Sequence, residues 1–310
     1  MRLFVTGSTG FIGSHFLRAA LHAGHEVIAL RYPGTQPVIP IPESDRLTWV
    51  EGDLNTFFSD LSAFSFQPSD FSSSALVHLA AYGVSPQPCT WQKAFQINVL
   101  DSILLMERAI DAEVPRIVVS GSSMEYGRSA ERYENIPPHA LLQPTGPYAA
   151  SKAALSVAAS ALCQQRRVEL AILRLFTVFG EGQNPGNLWP SMHRAALAGE
   201  DFPMSPGEQI SDFVPVEEVA RAFLRATELP SSAFHSPPSY CCDSAFDTQH
   251  STPLVANIGT GHPQTIRSFA EHWWTKWNAK GRLLLGALPY RDNEIMRYVP
   301  EVSPLFAIRD

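Results

Sequence analysis

The stretch FVTGSTGFIGSHFLRAAL, residues 4–21, decides the reading of the fold. A short apolar run ends at Thr6, Gly7, Gly10 and Gly13 follow at three-residue intervals, and an amphipathic helical pattern comes next. In a strand–turn–helix unit each glycine has a physical use. Gly7 permits the tight turn, Gly10 lets the backbone approach a pyrophosphate, and Gly13 lets helix and strand pack closely. The helix N-terminus, from Phe11 and Ile12 onward, then offers free N–H groups to an anion.

Outward from this unit, strand-like runs at Leu3–Thr6, Glu26–Leu30, Leu47–Val50, Ala75–Leu79, Ile117–Ser120 and Leu170–Leu175 alternate with helical patterns at Phe11–His22, Phe95–Ile110 and Ala149–Gln164. Such alternation predicts an α/β fold, a Rossmann-type doubly wound parallel sheet covered by helices on both faces. The strands are mostly apolar, as strands buried on both faces should be. Residues 1–176 are expected to form the dinucleotide-binding domain, with segments near 205–228 and 254–259 returning to it. Residues 177–310 are expected to form mainly a smaller C-terminal substrate-binding cap. The Ser- and Pro-rich stretch 230–253 has no clear period and reads as a loop insert.

Composition narrows the classes. The chain has 310 residues, 45% apolar and 17% charged, with a net charge of −7. That charge gives no general attraction to nucleic acid or an anionic membrane, so any phosphate binding must be local. MRLFVTGSTG does not read as a signal peptide, and no apolar run is long enough to span a bilayer. Cys89, Cys163, Cys241 and Cys242 contain no CxxC pair, and the ten histidines show no HExxH spacing, so no metal site is expected. A reducing, cytoplasmic setting follows as the default.

The spacing of the first two glycines resembles the TGxxGxxG loop of the short-chain dehydrogenases/reductases. The resemblance implies an adenine contact from Asp53 and Leu54, in EGDL (51–54). It implies that Leu79, Ala80 and Ala81, in LVHLAA (76–81), line the nicotinamide side. Asn98, in INV (97–99), falls where that family has a structural or proton-relay Asn.

PYAASK (147–152) sets Tyr148 and Lys152 four apart, on one face of a helix. A phenol ordinarily ionises near pH 10, and a neighbouring ammonium favours the phenolate. Tyr148 is therefore the expected proton donor or acceptor at a sugar oxygen, with Lys152 beside it. Ser122 and Ser123, in GSSMEYG (121–127), stand at the end of the fifth strand, where doubly wound sheets place ligand sites. Aligned on Tyr126–Gly127, the family's active-site Ser/Thr falls on Ser122, with Ser123 the alternative.

The long C-terminal part, with DFVPVEEVA (212–220) and NIGTG (257–261), resembles the extended branch of the family. Its members act mainly on nucleotide-linked sugars as epimerases, 4,6-dehydratases and 4-keto reductases. Its dehydratases carry an acid pair directly after the active-site Thr; here Ser123 and Met124 follow Ser122, and the first acid is Glu125. Two positions depart from the branch's diphosphate anchors: Ser211 stands where many members have Arg, and Thr177 where many have Asn. Arg291, in LPYRDNE (288–294), sits where a second diphosphate-binding Arg is common, and could equally pair with Glu294. The resemblance also implies a homodimer, through a four-helix bundle built from the Phe95–Ile110 helix and the nearly all-apolar helix YAASKAALSVAASALC (148–163).

At the tip of the second strand, HEVIALRYPG (25–34), an acid would grip both ribose hydroxyls of NAD, whereas a cation suits the 2′-phosphate of NADP. Arg31 occupies that tip with no acid in LRYPGTQP (30–37), which favours NADP(H) over NAD(H); a solvated Arg31 stacking on adenine is the other reading. The residues together point to an NADPH-dependent reductase of a nucleotide-linked 4-keto-(deoxy)sugar. The same set suits an NAD-dependent nucleotide-sugar 4-epimerase, and a non-catalytic dinucleotide-sensing protein would keep the fold without needing the Tyr148–Lys152 pair.

Overall fold

The computed structural model describes residues 1–60, 73–84, 88–234, 252–291 and 294–307. Its strands are β1 (Arg2–Thr6), β2 (Glu26–Arg31), β3 (Leu47–Glu51), β4 (Ser74–His78), β5 (Arg116–Ser122), β6 (Glu169–Leu175), β7 (Thr177–Phe179), β8 (Phe202–Met204), β9 (Ile210–Ser211), β10 (Phe213–Pro215), β11 (Leu254–Ile258), β12 (Gln264–Thr265), β13 (Leu283–Leu285) and β14 (Arg297–Tyr298). Its helices are α1 (Phe11–His22), α2 (Phe57–Asp60), α3 (Trp91–Phe95), α4 (Ser102–Asp111), α5 (Pro147–Arg166), α6 (Leu188–Ala198), α7 (Val216–Glu228) and α8 (Ile266–Lys276).

Seven strands form one parallel sheet in the order β11-β6-β5-β4-β1-β2-β3. One face buries Phe16 and Leu17 of α1 and Val219 and Phe223 of α7; the other buries Leu105 and Met106 of α4 and Leu155 and Ala159 of α5. The strand order reverses between β1 and β4, and in an open α/β sheet the crevice beyond the strand ends at such a reversal is the expected ligand site. A third apolar cluster, with Met192 of α6 and Phe269 and Trp274 of α8, underlies the C-terminal part. There β9 pairs with β12 and β14, β8 with β13, and β7 with β10.

Two features differ from the sequence expectation. The helix expected over Phe95–Ile110 is not one regular α-helix: α3 runs into a π-helical turn, Gln96–Asp101, before α4 begins. Such turns widen the backbone locally and are frequent at functional sites. Of the 230–253 insert, Ser231–Phe234 forms a 3₁₀ turn and residues 235–251 lie outside the described residues. No helix among the described residues is long and apolar enough to cross a membrane.

Candidate active site

The glycine loop after β1 is shaped by contacts that no side chain could share. Gly7 has φ +68°, and a Cβ there would lie 2.6 Å from the Ala80 nitrogen and the Leu79 carbonyl carbon. A Cβ on Gly13 would lie 2.0 Å from the Gly7 oxygen. Thus Leu79 and Ala80, at the end of β4, press directly against the turn. Gly10 is the N-cap of α1 and no side chain caps that helix, so its first-turn N–H groups, at Phe11, Ile12 and Gly13, are left to an anion. This cradle fits a dinucleotide pyrophosphate.

Elsewhere on the expected cofactor path the geometry is more constrained. The Asp53 carboxylate accepts from the backbone N–H groups of Asn55 (2.9 Å) and Thr56 (3.0 Å), holding the turn before α2. Leu54 is buried in the core against α4. Ala81 is half-buried, one residue before Tyr82. Arg31 is not without an acid. Its Nη2 lies 2.8 Å from Glu51 Oε1, its register partner across β2 and β3, and its guanidinium sits 5.5 Å from the Trp49 ring centroid. Glu51 was missed because a parallel register, not sequence proximity, brings it to Arg31.

The groups expected to react converge at the end of β5 and the start of α5. Pro147 at the first position and Gly146 as N-cap start α5, which carries Tyr148, Lys152 and Ser156 on one face. Tyr148 faces the Ser122 side chain. Ser123 instead turns its carbonyl to the Tyr298 hydroxyl. Lys152 is fully buried and donates to Ser120 Oγ at 3.3 Å. Asn98, on the π turn, accepts from Tyr82 N–H (2.7 Å) and donates to the Tyr82 carbonyl (2.9 Å) and Ser151 Oγ (2.9 Å). Ser151 in turn donates to the Tyr148 carbonyl at 2.8 Å. The Asn98 amide therefore ties the end of β4 to the first turn of α5.

The expected lowering of the Tyr148 pKa by Lys152 is absent. Burial pushes the phenol up to about 12; the Ser122 hydrogen bond opposes this and the Glu125 charge adds to it. Burial also lowers Lys152 to about 8, against the pull of Glu125. His78, buried between Thr6 (2.7 Å) and Ser102 (2.9 Å), is lowered to about 3 by burial and then by Lys152. Tyr148 is thus protonated at neutral pH, and Lys152 is the group that titrates near it. The Lys152 charge is present below about pH 8 and lost above it. If that charge holds the dinucleotide, turnover and affinity should fall together as pH rises through about 8; a basic limb above pH 10 would exclude Lys152 as its source.

The two departures at the expected diphosphate anchors meet in space. Thr177 Oγ1 and Ser211 Oγ are 2.7 Å apart, joining the start of β7 to the end of β9. Arg291 is exposed, and among the described residues it forms no ion pair with Glu294, whose N–H donates to the Arg291 carbonyl at 3.2 Å. No group of three or more His, Cys, Asp or Glu among the described residues could hold a metal ion.

Residues 3–238 match the model of the NAD dependent epimerase/dehydratase family. The chain belongs to that family. The curated relatives and solved structures that it resembles are enzymes, and so is this protein. It is 24% identical over 301 residues to CDP-abequose synthase from Salmonella muenchen, covering 95% of this chain and 87% of that one. It is 28% identical over 256 residues to UDP-glucose 4-epimerase from Erwinia amylovora, covering 74% of each. Its fold is similar to MoeE5 in complex with UDP-glucuronic acid and NAD, with a TM-score of 0.76, 27% identity and coverage of 100% of this chain and 94% of that one.

The sequence reading passed over Arg174, Asn257 and Tyr298. The signal for Arg174 was visible: a lone cation inside the apolar strand AILRLF (171–176) must find a buried partner.

Proposed function

We propose that this enzyme carries out NADPH-dependent reduction of a nucleotide-linked 4-keto-(deoxy)sugar. The observation that carries this reading is Tyr148 facing the Ser122 side chain, with a buried Lys152 one turn further along the same face of α5. A nicotinamide dinucleotide, when bound, supplies the redox half of the chemistry by exchanging a hydride with a sugar carbon. The cradle at Gly7, Gly10, Phe11, Ile12 and Gly13 would hold its pyrophosphate, and Arg31 its 2′-phosphate. Ser122 aligns the substrate oxygen, Tyr148 gives that oxygen its proton, and Lys152 holds the ribose side. The full-length similarity to a protein named for making a CDP-linked sugar supports a nucleotide-sugar substrate.

Elimination of water is disfavoured by the fate of Glu125. It is the first acid after Ser122 and is fully buried, with both oxygens accepting hydrogen bonds. It is not presented to a substrate.

A second reading, NAD-dependent 4-epimerisation, is favoured by one specific contact: Glu51 neutralises Arg31, which weakens the case for a 2′-phosphate. The relatives named UDP-glucose 4-epimerase lend it support. One experiment separates the two. The freshly purified protein is denatured, the released cofactor analysed, and apo protein titrated with NAD(H) and NADP(H). An empty site preferring NADPH supports the reductase, whereas tightly held NAD overturns it in favour of the epimerase.

We also infer a homodimer. Leu100 on the π turn, Leu104 on α4 and Val157 on α5 are 56%, 43% and 64% exposed, an apolar surface for a two-fold helical interface. Size-exclusion chromatography at micromolar concentration should show a dimer, and Leu104→Glu should shift it to monomer. A wild-type monomer would sink the idea.

A further inference from the structure

Glu125 lies three residues after Ser122, at the end of the 3₁₀ turn Ser123–Glu125. Its Oε1 accepts from the Ser122 backbone N–H at 2.7 Å, while Ser122 Oγ accepts from Met124 N–H at 3.2 Å, closing a capping box around the turn. Its Oε2 reaches two other elements. It accepts from Ser156 Oγ at 2.8 Å, on the α5 face that carries Tyr148 and Lys152, and from Arg174 Nε at 2.9 Å, on β6.

Arg174 extends the contact further. Its Nη1 donates to the Tyr126 hydroxyl (2.9 Å) and the Pro138 carbonyl (2.7 Å), and the Tyr126 hydroxyl donates to Asn257 Oδ1 on β11 at 2.6 Å. Glu125 is 0% and Arg174 5% exposed. The chain leaves space for this pair: a Cβ on Gly121 would lie 2.9 Å from both Glu125 Oε1 and Arg174 Cγ.

A buried ion pair is a poor way to gain stability, since apolar residues of like volume often serve as well or better. Its place gives it another use. One carboxylate bridges the backbone that carries Ser122, the helix that carries Tyr148 and Lys152, and the neighbouring strand. We propose that Glu125 is a positioning residue for proton transfer, its carboxylate fixing Ser122 and α5 so that the Ser122 hydroxyl meets the Tyr148 phenol. The inference rests on Tyr148 being the proton donor.

The electrostatics agree with the geometry. The Glu125 charge raises the pKa of Tyr148 and of Lys152 from α5 and that of Tyr298 from β14, while Arg174 faces it from β6 and Tyr126 from its own turn. Loss of that charge therefore lowers the pKa of the Tyr148–Lys152 pair.

The test compares Glu125→Gln, Glu125→Asp and Ser156→Ala in the full chain. Each is measured for kcat, KM, pH profile and melting temperature with the nucleotide sugar and dinucleotide found to support turnover. Glu125→Gln should lower kcat by about 10–10²-fold, the scale of an ångström-level misplacement, with KM within about twofold. Its basic pH limb should move to lower pH. Glu125→Asp keeps the charge but loses reach, so the limb should return to its wild-type position while kcat stays low. Ser156→Ala strands no charge and should fold normally, with a smaller kcat loss at unchanged KM; it decides the matter if Glu125→Gln does not fold.

A folded Glu125→Gln with unchanged kcat and pH limb overturns the proposal. So does a Ser156→Ala enzyme indistinguishable from wild type, or a kcat loss in all three variants that merely follows their melting temperatures. If Tyr148→Phe proves fully active, the underlying reading fails instead; an inactive Tyr148→Phe beside a normal Glu125→Gln sinks only this inference.

Discussion

Tyr148→Phe is expected to lower turnover by about 10²–10⁴-fold, the usual contribution of a positioned proton donor. Dinucleotide affinity should change little. The substitution keeps the ring at the start of α5 and removes only the hydroxyl that faces Ser122. A phenol held near 12 by burial has its proton at neutral pH, so what is lost is the donor to an oxygen that gains charge. Steady-state turnover and a fluorescence titration with dinucleotide check the two halves. A variant with full turnover would assign the proton to another group, and one that no longer binds dinucleotide would make Tyr148 a binding residue.

Arg174→Met is expected to destabilise the fold by about 3–5 kcal/mol at neutral pH, because it leaves the Glu125 carboxylate buried without its cation. The loss exceeds what the missing hydrogen bonds to Tyr126 and Pro138 would give alone. Denaturant unfolding with a constant slope measures it. A loss under about 1 kcal/mol, the range of an exposed ion pair, would mean that solvent reaches Glu125.

The elements of the sheet were legible because buried parallel strands and amphipathic helices carry their own periodicity, and the glycines after β1 sit where only a missing side chain lets Gly13 meet Gly7. Tyr148 and Lys152 were legible for a similar reason, since four-residue spacing on a helix fixes a shared face. What escaped the sequence depends on register and long-range approach. Arg31 finds Glu51 only because β2 and β3 pair in parallel, and Thr177 finds Ser211 only because β10, two residues after Ser211, pairs with β7. The sense of the Tyr148 shift was hidden as well, because desolvation depends on how deeply α5 packs and not on which residues neighbour it in the chain.

Strand β11 sits at the sheet edge against β6, although the whole of β7 to α7 intervenes between them. Asn257, on β11, accepts from the Tyr126 hydroxyl and donates to the Ile136 carbonyl at 2.7 Å, so the turn behind Ser122 is completed by a residue made well after it. On the ribosome, the first six strands would emerge with β6 as a bare hydrogen-bonding edge, open to wrong partners until β11 arrives. Closure of a loop that long is slow relative to local structure. The turn behind Ser122 is therefore complete only after β11 has been made, and the chain up to α7 is the state most exposed to wrong strand pairing.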